Sequence, residues 1–189
     1  MAGNVANIDP YGPSAGRVHP EHYKRPDSLI IDIHGHIMTE GVDEEVRKHV
    51  PAMSLDAVKY ASPLTREISK KQNEDRHEEL VGVTKRLADM DKMCVDVMAI
   101  SPQPPQMHYD APEALGQETA QKVNDNIANA VSQAPDRLIG LGTVPLQNTD
   151  MALKELDRLI GELGFKGIQI GAQIGKDELS AERLEPFWA

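Results

Sequence analysis

Apolar and polar residues follow two different periods along the chain after residue 27. The first patterned stretch, residues 28–36 (SLIIDIHGH), alternates with a period of two and predicts a β-strand. Farther along, HEELVGVTKRLADMDKM has apolar residues at helical spacing, namely Leu80, Val83, Leu87 and Met90. The short run VDVMAIS follows it and contains several β-branched residues, which predicts a second strand.

This unit of a helix followed by a strand recurs twice more. The segments EALGQETAQKVNDNIANAVSQAP and DMALKELDRLIGELG predict helices, and RLIGLGTVP and KGIQIGA predict the strands that follow them. Residues 148–150 are suited to cap the second of these helices, and Gly164 stands where a glycine that ends a helix belongs. Such alternation predicts parallel strands joined by right-handed crossovers, either in an open doubly wound sheet or in a barrel.

Two features favour the barrel. No glycine-rich phosphate-binding turn follows the first strand, so the dinucleotide-binding version of the open sheet lacks its fingerprint. Polar side chains near the end of the first strand suit a barrel mouth, where reactive groups lie at the C-terminal ends of strands. A complete barrel has eight strands and about 250 residues. Since only four strands are predicted, we expect an α/β fold of the (β/α)8 TIM-barrel type with about its first four β/α units present.

The chain is expected to have two parts. Residues 1–27 are rich in Pro, Gly and polar residues and show neither period, so they predict an irregular N-terminal arm. Residues 28–189 are expected to form the half barrel, with a long polar connection after the first strand that is typical of a functional loop or lid. The last segment, LSAERLEPFWA, opens a helix that has no cap, which indicates a truncated barrel.

Composition narrows the range of partners and locations. The formal net charge of -10 argues against a nucleic acid or an anionic membrane as partner, because both attract basic surfaces. The N-terminus lacks the apolar core of a signal peptide, and no run reaches the roughly 18 apolar residues of a membrane span. Cys94 is the only cysteine, so no intrachain disulfide can form and a reducing cytoplasm is the expected location.

The first strand carries Asp32, His34 and His36 at every second position. Strict alternation places these three side chains on one face, and Ile31 and Ile33 on an opposite, buried face. Two imidazoles that converge on one side can bind Zn, Fe, Co or Ni. We predict that His34 and His36 are metal ligands and that the Asp32 carboxylate orients them or their neighbours. The ordinary alternative is that the two histidines are polar residues hydrogen-bonded to backbone near a strand end.

The rest of the sequence offers no convincing third ligand, although catalytic zinc usually has three protein ligands and an open position. His49 and His77 lie in charged segments with helical tendency and are expected at the surface. Ser101 ends the second strand and His108 follows it, so both are candidates for lining a substrate pocket. No residue is assigned a catalytic role, and the missing ligands are expected beyond Ala189.

Five segments, in their order and spacing, carry a family resemblance: IDIHGHI, MDKMCVDVMAISPQP, PDRLIGLGTVPLQ, ELGFKGIQIGAQI and LSAERLEPFWA. They resemble the amidohydrolase-related proteins, and within them aminocarboxymuconate-semialdehyde decarboxylase and its non-oxidative decarboxylase relatives, over residues 29–189. The resemblance implies a metal-dependent barrel that holds one divalent metal ion, commonly zinc. Its ligands would be two histidines of the first strand, which match His34 and His36, with a histidine of the fifth strand and an aspartate of the eighth, which have no counterpart here.

The resemblance also implies a reaction and its partners. The implied reaction is loss of carbon dioxide from an unsaturated or aromatic acid, with a small-molecule carboxylate as the substrate. The complete protein is expected to form a homo-oligomer. Relatives hold the substrate carboxylate with an arginine, for which Arg66 and Arg76 are candidates. Hydrolysis and hydration use the same activated water and remain alternatives. The enzyme is expected to be active when full length, and this chain alone is expected to be inactive. A rival hypothesis is that the short chain is a non-catalytic binding module, two copies of which could close an eight-stranded ring.

Overall fold

The computed structural model describes Arg25 and residues 27–50 and 60–189. The predicted irregular arm, residues 1–27, therefore lies outside the described residues except for Arg25 and Asp27. Residues 51–59 of the long connection lie outside them as well. Within the described ranges, no helix is long and apolar enough to cross a membrane.

Four parallel strands form one sheet in the order β1–β2–β3–β4. Their bounds are β1 (Ile31–Ile37), β2 (Val97–Pro102), β3 (Leu138–Gly142) and β4 (Gly167–Ile168). Strands that follow one another in sequence are neighbours in the sheet, which confirms the predicted barrel-type topology. β4 keeps only two residues of the predicted KGIQIGA strand. The chain then enters a short antiparallel hairpin of β5 (Gln173–Ile174) and β6 (Asp177–Glu178), which the sequence pattern did not predict.

Helices alternate with the strands along the chain. They are α1 (Val42–Arg47), α2 (Pro63–Asp75), α3 (His77–Val81), α4 (Val83–Lys92), α5 (Glu113–Gln133), α6 (Thr149–Gly161) and α7 (Glu185–Trp188). The prediction of a single helix over HEELVGVTKRLADMDKM is wrong, because Gly82 adopts an extended conformation (φ -86°, ψ 133°) that separates α3 from α4. Short 3-10 helices, Pro104–Met107 and Glu182–Leu184, precede α5 and α7.

The ends of α6 match their sequence signals. The side chain of Asn148 accepts a hydrogen bond from the backbone amide of Met151 at 3.0 Å, which satisfies one of the free N–H groups of the first turn. Beyond the other end, Gly164 takes a left-handed conformation with φ 67°. These local signals set the length of α6 and therefore where the chain returns to the sheet.

The core lies between one side of the sheet and helices α4, α5 and α6. Its buried side chains include Ile37, Met90, Ile100, Val123, Ile127, Leu138 and Leu159. The apolar residues of α5 recur at helical spacing and pack against β3. This packing covers one face of the sheet, and the opposite face, which includes Ser101, forms the inner surface of the half barrel.

β1 is an edge strand that pairs only with β2 among the described strands. The prediction that Ile31 and Ile33 form a buried face is wrong, because these side chains are 50% and 78% exposed. Only the last part of β1 reaches the core, where Ile37 is 1% exposed. The half of β1 that leads into the histidine pair is therefore held by its pairing with β2 rather than by apolar packing.

Candidate metal centre

β1 contains a β-bulge between Asp32 and Gly35, in the stretch that includes the first histidine, His34. Asp32 is in register with Met98 and Gly35 with Ile100, so three steps along β1 match two steps along β2. One extra residue therefore interrupts the alternation of faces between Asp32 and Gly35.

The bulge corrects the prediction that Asp32, His34 and His36 share one face. Residues in register on neighbouring strands point to the same side of a sheet. Asp32 is thus on the side of the buried Met98, which faces the helices, whereas His36 is in register with Ser101 on the inner side. The Asp32 carboxylate instead accepts a hydrogen bond from the backbone amide of His34 at 3.0 Å. This carboxylate therefore orients the main chain of the predicted ligand His34 from the side of the sheet that faces the helices.

Gly35 allows β1 to approach β2 closely between the two histidines. A Cβ atom here would lie 2.7 Å from Sδ of Met98 and 3.0 Å from the carbonyl oxygen of Ala99. Both separations are shorter than ordinary contacts, so a side chain would displace Met98 and press against the carbonyl of Ala99. The glycine is therefore needed for the local path of the main chain.

The two imidazoles lie side by side, with ring centroids 4.8 Å apart and ring planes at 79°. Nδ1 of His36 is 3.0 Å from the carbonyl oxygen of Pro102, so this nitrogen carries the proton and donates it. Ser101 Oγ donates to the carbonyl of Gly35 at 3.1 Å and lies 3.1 Å from the same Nδ1. Because Nδ1 is the donor, the lone pair of Nε2 is left for a metal ion, which is the usual arrangement of a metal-binding histidine.

The surroundings of His36 favour its neutral form. Partial burial and the neighbouring His34 lower the pKa of His36, with a smaller contribution from Arg86, and the hydrogen bond to Pro102 opposes them. A histidine must be neutral to bind a metal ion. His36 can therefore supply an imidazole ligand at neutral pH.

The predicted pocket residues have different positions. Ser101 is 4% exposed and contacts His36 rather than open space. His108 is 5% exposed, and its Nε2 lies 3.0 Å from Oδ1 of Asp43, in α1. The structure does not bring His108 together with the histidine pair, since the described residues contain no group of three or more potential metal ligands. His49 and His77 are exposed beside Glu45 and Glu40, as predicted for surface residues.

Two buried residues that the sequence did not single out support this end of β1. Arg86, in α4, donates from Nη2 to the carbonyl of His36 at 2.7 Å and to that of Glu79 at 3.2 Å. Gln106 accepts from the amide of Thr39 and donates to its carbonyl, both at 2.8 Å. Helical spacing already placed Arg86 on the buried face of α4 with Val83 and Met90, so that signal was available.

A comparison with protein families assigns most of the chain to one of them. The family model described as Amidohydrolase matches residues 31–189. The 2-amino-3-carboxymuconate-6-semialdehyde decarboxylase of Dictyostelium discoideum is 38% identical over 103 residues, which cover 54% of this chain and 29% of that protein. The gamma-resorcylate decarboxylase of a Polaromonas species is 32% identical over 111 residues, or 55% of this chain and 34% of that protein.

A solved structure with a similar fold is 5-carboxyvanillate decarboxylase from Novosphingobium aromaticivorans, complexed with manganese and 4-hydroxy-3-methoxy-5-nitrobenzoic acid. Its TM-score is 0.69 at 27% identity, and the match covers 92% of this chain and 49% of that one. Since the structural relatives are TIM barrels, the four-stranded sheet corresponds to about half of a barrel. The chain spans less than half the length of these relatives.

Proposed function

Because this chain belongs to the amidohydrolase family, we propose that it is the metal-binding half of a non-oxidative decarboxylase that acts on an unsaturated or aromatic carboxylic acid. The observation that carries the proposal is the histidine pair at the C-terminal end of β1. The rings of His34 and His36 adjoin each other, and His36 presents Nε2 as the acceptor. The C-terminal ends of strands are where (β/α) barrels place their chemistry.

The relatives support the choice of reaction. Both sequence relatives named above are decarboxylases, and the solved relative holds manganese and a nitrobenzoic acid. A small carboxylate is therefore the proposed substrate, and loss of carbon dioxide the proposed reaction. Hydrolysis and hydration are the alternatives, because a metal-activated water serves all three reactions.

His34 and His36 are the proposed ligands of one divalent metal ion. Imidazole suits zinc, the metal expected from the family resemblance, whereas the solved relative contains manganese. A bound ion would add positive charge that polarises a substrate oxygen and lowers the pKa of bound water. The residues of this chain favour the neutral form of the His36 imidazole and fix its direction through Ser101 and the carbonyl of Pro102. Further ligands are required, since the described residues provide only this pair.

The proposal extends to assembly and location. A catalytic centre would need the remaining ligands of a complete barrel, and we propose that the complete protein forms a homo-oligomer. The single cysteine, Cys94, supports a reducing cytoplasm as the location.

The first experiment measures the intact mass and the metal content of the protein isolated from its native source. A mass well above the 20.8 kDa of this chain, with about one equivalent of divalent metal, would support the proposal. The identity of the metal distinguishes zinc from manganese. A mass equal to that of this chain without metal would reject the catalytic proposal and favour the binding-module alternative.

A second experiment tests the ligands and the reaction. In the complete protein, we expect His34→Ala to lose the metal and the release of carbon dioxide from gamma-resorcylate or 5-carboxyvanillate. His77→Ala is the matched control, because this histidine is exposed and contacts Glu40 away from the pair. Unchanged metal content in His34→Ala would contradict the proposal. Addition of water to the substrate without release of carbon dioxide would instead support the hydratase or hydrolase alternative.

A further inference from the structure

The nearly buried guanidinium of Arg86 lies on the helix side of β1, opposite the candidate metal centre. Its residue exposure is 9%, and Nη2 donates to the carbonyl oxygens of His36 at 2.7 Å and Glu79 at 3.2 Å. Nη1 lies 3.6 Å from Sδ of Met98. The guanidinium thus connects α4 and α3 to the C-terminal end of β1, which carries the predicted ligand His36.

The charge of Arg86 has no carboxylate in ion-pair contact among the described residues. Burial lowers the pKa of Arg86, and the negative charge of Asp32 opposes this effect. A buried charge without a direct partner is unfavourable unless hydrogen bonds satisfy it. Here the main-chain carbonyls of His36 and Glu79 satisfy Nη2, whereas Nε is buried without a hydrogen-bond partner among the described residues, so the position of the guanidinium depends on these two carbonyls.

Asp32 and Arg86 form hydrogen bonds with the main chain within the bulge and just after it. Asp32 accepts the backbone amide of His34, and Arg86 donates to the backbone carbonyl of His36. Both side chains lie on the helix side of β1, opposite the imidazole of His36. The two contacts leave the main chain between the histidines little freedom to shift.

We propose that Arg86 is a positioning residue of the metal centre, which fixes the main chain at His36 and thereby sets the direction of its Nε2 relative to His34. This inference rests on the proposed function, because it assigns a role toward the metal ion. It adds a residue from α4, fifty positions away in sequence from the histidine that it holds.

Arg137 offers a matched control within the same sheet. Its guanidinium also donates to two main-chain carbonyls, those of Asp96 at 2.6 Å and Val95 at 3.0 Å, and it forms an ion pair with Asp91. These contacts lie before the start of β2, at the opposite end of the sheet from the histidines. A purely structural loss of arginine-to-carbonyl contacts is therefore reproduced by Arg137→Met.

The first readout is the affinity of the 189-residue chain for Zn2+ by titration calorimetry. The double variant His34→Ala/His36→Ala defines the heat that does not come from the pair. We expect Arg86→Met to weaken Zn2+ binding at the pair by about tenfold or more, the size found when residues that orient metal ligands are removed. Arg137→Met is expected to change the affinity by less than about twofold, since it touches neither histidine. Arg86→Lys keeps the charge but replaces the planar guanidinium, whose Nη2 makes both carbonyl contacts, by an ammonium group, and is expected to show a smaller loss.

The second readout is the imidazole 1H–15N spectrum of the metal-free chain. We expect His36 to be in a single Nδ1–H tautomer in the unaltered chain and in Arg137→Met, and in a mixture of tautomers in Arg86→Met. A folded Arg86→Met with unchanged Zn2+ affinity and an unchanged spectrum would overturn the proposal. If Arg86→Met does not fold, a folded Arg86→Lys with both properties unchanged overturns it in the same way.

The two readouts separate this proposal from the proposed function. If the unaltered chain shows no Zn2+ binding at the pair, His34 and His36 do not bind metal without the further ligands that the proposed function requires. The metal-free spectrum then still decides whether Arg86 positions the ring of His36.

Discussion

Polar side chains at the C-terminal ends of β1 and β2 are buried and bind the main chain, whereas those at the N-terminal ends are more exposed and form ion pairs in addition to main-chain hydrogen bonds. At the C-terminal ends, Arg86, Ser101 and Gln106 are 9%, 4% and 1% exposed. Each donates to a carbonyl of the β1 segment or of the turn after it. At the N-terminal ends, Arg25 pairs with Asp96, and Arg137 with Asp91.

The physical consequence of this difference is unequal sensitivity to mutation. A buried polar group that loses its partner cannot be satisfied by water, whereas an exposed ion pair exchanges one set of hydrogen bonds for another. The C-terminal ends therefore specify a fixed arrangement of main chain around the histidine pair. The N-terminal ends contribute to stability with contacts that tolerate replacement, which agrees with the division of roles between the two ends of a barrel.

Removal of the Gln106 side chain is expected to have the largest effect on stability. Gln106→Ala leaves the amide and carbonyl of Thr39 without their partner, and we expect the free energy of unfolding to fall by about 2–4 kcal/mol. Urea denaturation measures the change. Gln133→Ala is the matched control, since that side chain is exposed, and should cost less than about 0.5 kcal/mol. Equal losses in the two variants would remove the distinction between buried and exposed contacts.

A side chain at Gly35 is expected to have the next largest effect. Gly35→Ala places a methyl group against Met98 and the carbonyl of Ala99, and we expect a loss of about 1–3 kcal/mol from overpacking. The thermal midpoint and the Zn2+ affinity should fall together, because the strain lies between the two histidines. Gly161→Ala, with no atom within 4 Å of the added Cβ, should leave both unchanged or raise stability slightly.

The Ser101 hydroxyl is expected to contribute less, since Pro102 remains as an acceptor for His36. Ser101→Ala removes the hydrogen bond to the carbonyl of Gly35, and we expect a loss of about 1 kcal/mol in urea denaturation. The imidazole spectrum should retain the Nδ1–H tautomer of His36. A change to the other tautomer would show that the hydroxyl, rather than the carbonyl of Pro102, decides the protonated nitrogen. Ser132→Ala, which removes an exposed hydroxyl, is the control.

The smallest effect is expected at the N-terminal ends, and it depends on pH. The hydrogen bond from Arg25, followed by that from the amide of Ile30, lowers the pKa of Asp96. The unfolded carboxyl group therefore takes up its proton at a higher pH than the folded one. The stabilisation is complete above the unfolded pKa and is lost as the pH falls through the lowered folded pKa.

Asp96→Asn removes this contribution. We expect its urea midpoint to lie slightly below that of the unaltered chain at about pH 6, and the gap to shrink by about pH 3. A gap that widens at low pH would contradict the assignment. A large gap at both values would show that the N-terminal ends are as sensitive as the C-terminal ends.

Local sequence patterns predicted the elements and their order well. The alternation of helices and strands gave the parallel sheet, and the cap at Asn148 and the glycine at 164 marked the ends of α6. These features depend on residues a few positions apart, whose preferences act before tertiary contacts form. One exception was Gly82, whose extended conformation divides a region with a continuous helical pattern. Glycine is tolerated inside a helix but favours other conformations, so the pattern alone could not decide.

The sequence by itself determined the half-barrel class of fold and the place of His34 and His36 near the end of its first strand. Only the tertiary structure decided which groups hold that pair. The face of Asp32 depends on a one-residue shift between β1 and β2, because side-chain direction in a strand reverses with each residue. The contacts from Arg86 and Gln106 join positions fifty or more residues apart, which no local period can report. The chemistry of a side chain is a property of its residue type, whereas its orientation follows from distant parts of the chain that pack against it.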